Sequence, residues 1–281
     1  MGLRKVLLAV VLLLTVVTPA EASEPCALWE RQVFGVTAEG GLVEHRFCLE
    51  ANRTISRWSG ERVVATEGWG EVTTAFWSGY EHGAGVYYRV VGSGLFWSSD
   101  LVAWQQIGRA TDWSAFTSLT SPQPGVVYGT EPSGVVRRWE HTGWRDGTDS
   151  WAPETVATKW PQGSVLYGHT RAGFIGFTGI ANVWRDDFSS SALRITVPPG
   201  VDRGTIVPFD LEQKYPNSAF ALTSAGRLVT LLPGSCAKLE RPWRADDETG
   251  GGYRRIFAGG YVRNGTGPVE WQCGGPGTPV N

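Results

Sequence analysis

Beyond residue 22, hydrophobic residues in this chain fall in short runs that alternate with polar ones or are rich in β-branched side chains, and small polar clusters with glycine separate them. No window carries a 3.6-residue period, so the pattern predicts strands rather than helices. Six stretches share one layout: "VFGVTAEGGLVEHRF", "VYYRVVGSGLFWSS", "VVYGTEPSGVVRRW", "VLYGHTRAGFIGF", "AFALTSAGRLVTLL" and "IFAGGYVRNGTGPVEW". Each reads as a strand, a tight turn closed by glycine, and a second strand. The closing glycines are Gly41, Gly94, Gly134, Gly173, Gly226 and Gly267. A tight hairpin needs positive φ, which glycine adopts without steric cost.

The hairpins recur every 39 to 53 residues, about 45 on average. A hairpin repeated at that period predicts an all-β propeller of four-stranded blades. Further strands flank the better copies, as "TTAFWSG" and "VAWQQIG", "AFTSLTS" and "APETVA", "TIVPFD" and "AKLERPW". Six hairpins favour six blades, or five if two drifted copies share a sheet. The last hairpin has little chain after it, so the N-terminal segment is expected to supply an outer strand and close the ring. Residues 23–274 read as one propeller domain, and 275–281 as a loose tail.

Composition supports this class, with 37 glycines, 16 prolines, 14 tryptophans and one methionine. Arg4 and Lys5, the apolar run from Val6 to Val17 and an Ala-x-Ala end at Ala22 read as a cleaved secretory signal over residues 1–22. Nothing later is apolar enough to span a membrane. Cys26, Cys48, Cys236 and Cys273 suit two disulfides in an exported chain. The local pairs Cys26–Cys48 and Cys236–Cys273 are favoured, with Cys26–Cys273 as a ring clasp the alternative. A formal net charge of −2 without basic clusters argues against nucleic acid. Asn52 and Asn264 fit the N-glycosylation pattern.

The segment "GVVYGTEPSGVVRRWEHTGWRDGTDSWAPETVATKW", with its W-x-H-x-G-W-x-D-G-x-x-x-W connection, resembles the repeat of tachylectin-2-type lectins. "GWGEVTTAFWSG" and "DWSAFTSLTS" are similar to that family's Trp-led segment before the inner strand. The likeness is clear over about residues 68–160. It implies a propeller lectin with several sites per ring for N-acetylglucosamine or related amino sugars, and hence a multivalent, non-catalytic glycan partner without a cofactor. The matching positions are Trp69, Trp113, Trp144, Asp146, Trp151 and Trp160. Where the family commonly has Asn after the leading Trp, this chain has Gly70, Ser114 and Pro161. An amide able to donate and accept is therefore missing. Packing between blades is the plainer role for any one of these tryptophans.

Two other functions fit the fold. A glycan-active enzyme needs two converging carboxylates. Asp100, Asp112, Asp146, Asp149, Asp187, Asp210 and Glu270 are available, though most lie in turns. "SSDLVAW" reads as a turn in which Asp100 caps its own backbone over Trp104. A protein-interaction propeller needs an apolar face. The acids of "RADDETGGG" read as a solvated loop, and no zinc-protease, hydrolase-elbow or phosphate-loop motif is present.

Overall fold

The computed structural model describes residues 26, 29–49, 55–78, 86–159, 165–169, 173–177, 181–184, 190–208, 219–233 and 240–263. The signal segment, Asn52, the tail, Trp160, Asp187, Asp210, Asn264, Glu270, Cys236 and Cys273 lie outside these residues, so the expectations placed on them do too. The described chain is all-β, apart from one 3₁₀ turn at Trp113–Ala115. Its strands are β1 (Trp29–Thr37), β2 (Leu42–Leu49), β3 (Ile55–Ala65), β4 (Val72–Trp77), β5 (Tyr87–Val91), β6 (Gly94–Ser98) and β7 (Gln105–Ile107). Then come β8 (Ser118–Gln123), β9 (Val126–Thr130), β10 (Val135–Glu140), β11 (Thr155–Lys159), β12 (Val165–His169), β13 (Gly173–Phe177), β14 (Ala181–Trp184) and β15 (Ser190–Thr196). The last are β16 (Val201–Pro208), β17 (Ala219–Thr223), β18 (Leu228–Pro233), β19 (Glu240–Thr249) and β20 (Tyr253–Arg263).

These strands form four hydrogen-bonded sheets, not the six blades favoured from the repeat. Three have four strands, in the orders β20-β1-β2-β3, β4-β5-β6-β7 and β11-β10-β9-β8. The fourth has eight, because β15 pairs in parallel with β19 and joins the run β12–β15 to the run β16–β19. Two features of the pairing lower the count. The fourth and fifth hairpins share that eight-stranded sheet. The sixth hairpin contributes β20, which pairs with β1 and so enters the sheet of the first hairpin.

The architecture is a β-propeller. The leading strand of each four-stranded run touches the next around a ring, β20 to β4, β4 to β8, β8 to β12, β12 to β16 and β16 back to β20. Closure joins the chain's two ends, with a different division of strands from that anticipated. The N-terminal segment supplies three strands, β1 to β3, and the C-terminal β20 is the inner one.

The β20–β3 and β4–β7 sheets are buried on both faces, and the period of two shows how. On β1, Val33 packs with Phe47, Phe220, Leu228 and Ile256. Its neighbour Phe34 points to the opposite face, with Trp69, Val72, Tyr87 and Phe257. On β5, Tyr87 belongs to that second cluster, while Tyr88 enters a third with Trp113, Leu119, Val127 and Trp139. The clusters therefore lie between sheets, where ring closure removes both apolar faces from water.

Turn geometry partly follows the expectation. Gly134 and Gly226 have φ of 85° and 73°. In the first two hairpins the left-handed residue is Gly40 or Gly92 rather than Gly41 or Gly94. "RADDETGGG" is not a loop throughout, since β19 runs to Thr249 before the glycines turn into β20. Cys26 and Cys48 form a disulfide with Cα atoms 5.2 Å apart, which removes Cys26–Cys273 as a clasp.

Candidate functional site

The six positions singled out by the sequence separate into different environments. Trp69 is 1 % exposed and stacks on Phe257 at 5.7 Å, with Trp104 edge-on at 5.6 Å. Trp113 is 2 % exposed, donates Nε1–H to the Gly108 carbonyl at 2.8 Å, and lies 4.9 Å from Trp139. Neither ring has an open face, so both fill the seams between sheets, the plainer of their two expected roles. The Trp-led segments bury their aromatic because backbone bonds hold it inward: Trp69 N–H donates to Gly40 and Trp113 N–H to Ser93, each across a seam.

Trp144, Asp146 and Trp151 come together on the long connection between β10 and β11. This loop leaves its own sheet and docks on the sheet of β4–β7. Asp149 accepts from Gly108 N–H at 2.7 Å and from Trp151 Nε1 at 2.8 Å. Trp97, on β6, donates Nε1–H to the Trp144 carbonyl at 3.0 Å. Gly147, at φ 76°, lies so close to the Trp97 ring that a Cβ there would come within 2.5 Å of it.

Beneath the loop runs a buried polar chain. His141 Nε2 donates to the Thr148 carbonyl at 2.8 Å, because a carbonyl only accepts. In the neutral ring Nδ1 is then the acceptor, and the Tyr88 hydroxyl donates to it at 2.7 Å. Ser78 and Ser121 share a further 2.6 Å bond, and Gly125 N–H donates to Ser78. Burial lowers the pKa of the His141 ring, against the opposing pull of the Thr148 carbonyl, Asp149 and Asp146. Burial also pushes the Tyr88 hydroxyl up. The neutral network rigidifies the loop base.

The outer side of the loop is polar and partly aromatic. Trp144 is half-buried; it packs against Gly125, where a Cβ would come within 2.4 Å of its ring, and the Arg145 guanidinium sits over it at 4.2 Å. Trp151 is half-buried and stacks one face on His141 at 4.5 Å. Thr142 and Ser150 share an exposed hydroxyl pair at 2.7 Å. Asp146 is exposed, and its carboxyl is held low by the Thr148 hydroxyl and N–H. Burial raises the Asp149 carboxyl, but the Gly108 and Trp151 donors outweigh that and the net shift is downward.

Other carboxylates serve turns. Asp100 accepts from Val102 and Ala103 N–H at 2.8 and 2.9 Å, with Trp104 donating to the Leu101 carbonyl, so "SSDLVAW" is the capping turn that its sequence suggests. Asp112 caps the 3₁₀ turn through Ser114. Sequence reasoning missed Trp97, Gly125 and the docking role of Asp149. Their partners are about 20 to 50 residues away in the chain, and no local spacing encodes them.

No family model matches the sequence, and no curated protein matches it. Among solved structures it is similar to PorZ, a bacterial surface component of the type-IX secretion system of Porphyromonas gingivalis, at 14% identity and a TM-score of 0.40, over 80% of this chain and 26% of that one. It is also similar to U3-55K, at 11% identity and a TM-score of 0.36, over 78% of this chain and 64% of that one. A third is the virginiamycin B lyase of Staphylococcus aureus, at 9% identity and a TM-score of 0.33, over 70% of this chain and 65% of that one. The chain thus spans about a quarter of PorZ and just under two-thirds of the other two.

Proposed function

We propose that this protein is an exported carbohydrate-binding propeller, related to the tachylectin-2-type lectins, that holds sugar on the outer side of the 141–154 loop. The eight-stranded sheet counts as two blades in this reading, which makes a ring of five. The observation that carries the proposal is the division among the tryptophans: Trp69, Trp113 and Trp139 are buried, whereas Trp144 and Trp151 keep part of their rings at the surface. They do so beside Thr142, Arg145, Asp146 and Ser150, on a loop fixed in place before any ligand arrives. A sugar ring has an apolar face suited to an indole and hydroxyls suited to such neighbours. A loop already ordered loses little freedom on binding. Arg145 is the side chain that a stacked sugar would displace or share.

Among the described residues, the partly exposed tryptophans that match the resemblance lie on this one loop. The corresponding described connection of the β4–β7 sheet, 99–104, is less than half as long as 141–154. Export is supported by the N-terminal pattern and by the Cys26–Cys48 disulfide. Amino sugars remain the first ligands to try, although no Asn follows the leading tryptophans.

The test is a glycan array including N-acetylglucosamine and chitin fragments, probed with wild type, Trp144→Ala and Trp151→Ala. Selective binding lost in either variant supports the reading. A blank array from folded protein refutes it and directs attention to hydrolysis assays and protein partners.

A further inference from the structure

At the seam between the β20–β3 and β4–β7 sheets, three arginines surround the short segment from Gly68 to Thr73. Arg89, on β5, donates to the Gly68 carbonyl at 3.4 Å. Arg254, at the start of β20, donates Nη2–H to the carbonyls of Trp69, at 2.7 Å, and Gly70. Arg255 donates Nη1–H to the Thr73 carbonyl at the start of β4. All three thus point at consecutive stretches of one backbone segment, beside two adjoining inner strands of the ring.

None of the three makes an ion pair with a carboxylate among the described residues. Glu67, just before the segment, and Glu71, on it, are exposed, and neither is ion-paired with these arginines among the described residues. Each guanidinium carries five N–H donors, and the carbonyls use few of these. Among the described residues, the hydrogen bonds of Arg254 run only from Nη2 and that of Arg255 only from Nη1, so their other N–H groups have no partner there. Arg89 Nε is buried and unpartnered. The Arg89 guanidinium is also fixed in orientation, since it lies over the Trp104 ring at 4.2 Å and the Trp69 ring at 5.3 Å. Burial and the neighbouring Arg254 disfavour the charged form of Arg255, and burial does so for Arg89. Guanidinium nonetheless stays charged at neutral pH. Positive charge gathered on an ordered frame, with forked donors left over, is the chemistry that recognises an oxyanion.

We propose that Arg89, Arg254 and Arg255 form a binding site for an oxyanion carried by a small ligand, a carboxylate or a sulfate. The site is separate from the 141–154 loop and does not depend on the reading given for it. Its two ligand sources are told apart by titration: sodium glucuronate presents the carboxylate of an acidic sugar, sodium sulfate the inorganic ion, and glucose is the uncharged control.

The experiment is isothermal titration of the full chain with each compound at low ionic strength, on wild type, Arg254→Gln, Arg255→Gln and Arg137→Gln. Arg137 lies on β10 and is satisfied by Glu131 and Glu154. Saturable binding of glucuronate or sulfate is expected, weakened roughly tenfold or more by either seam substitution, as loss of a charge-assisted bond implies, and unchanged by Arg137→Gln. Arg255→Lys keeps charge and fold but not the fork, so a smaller loss is expected there. No saturable binding of either anion, equal binding of glucose, or unchanged affinity in seam variants that melt like wild type overturns the proposal.

Discussion

Acidification should destabilise this protein before its carboxylates titrate, and two buried histidines set the size of the effect. His45 and His141 are 2 % and 0 % exposed. Burial lowers the pKa of each below 6.5, against opposing carboxylates: Glu61 and Glu44 for His45, and Asp149 and Asp146, with the Thr148 carbonyl, for His141. The unfolded chain therefore binds more protons than the folded one once pH drops below 6.5, so stability is full above that value and is lost as pH falls through it. If the folded ring stayed wholly neutral, each histidine would remove about 1.4 kcal/mol by pH 5.5, and the opposing carboxylates make this an upper limit. Asp100, Asp146 and Asp149 have lowered pKa values, so their contribution is lost only further down, below about pH 4. Urea denaturation at pH 7.5 and 5.5 measures this directly. His141→Gln should be less stable than wild type at pH 7.5 yet lose less on acidification. A wild type equally stable at both pH values, or an identical loss in His141→Gln and His45→Gln, would refute the reasoning.

Three further outcomes follow from the packing. Gly147→Ala, at positive φ against the Trp97 ring, should cost about 1–3 kcal/mol and loosen the loop, read as a lower urea midpoint and faster amide exchange at Thr148. Asp149→Ala removes the acceptor shared by Gly108 and Trp151 and should cost about 1–3 kcal/mol in the same denaturation. Cys48→Ser opens a loop closed across a sequence separation of 22 and should lower stability by about 3 kcal/mol, with reduction of wild type giving a similar loss.

The strands were legible wherever a period of two met a turn glycine. "VVYGTEPSGVVRRW" became β9 and β10, with Gly134 at positive φ as anticipated. β14 and β15 were missed, because "ANVW" and "SSALRIT" carry neither a long alternation nor a closing glycine. The blade count failed for a different reason: a hairpin pattern records neighbouring strands but not which sheet they join. β20 looks like half of a sixth hairpin, and its partner β1 begins more than two hundred residues earlier. The stretch "RWEHTGWRDGTDSW" shows the same limit at the scale of one loop. Its tryptophans look alike in sequence, yet Trp139 is buried while Trp144 and Trp151 reach the surface. What separates them is docking on Trp97 and Gly108 of another sheet, which no local spacing records.

The central claim is a sugar site on the 141–154 loop, and Trp144 and Trp151 report on it themselves. The decisive measurement is a tryptophan-fluorescence titration of the folded chain with N-acetylglucosamine, chitin fragments and neutral hexoses. The account predicts a saturable change with at least one sugar, abolished or strongly reduced in Trp144→Ala. No change with any of these sugars, or an undiminished one in both Trp144→Ala and Trp151→Ala, would contradict it.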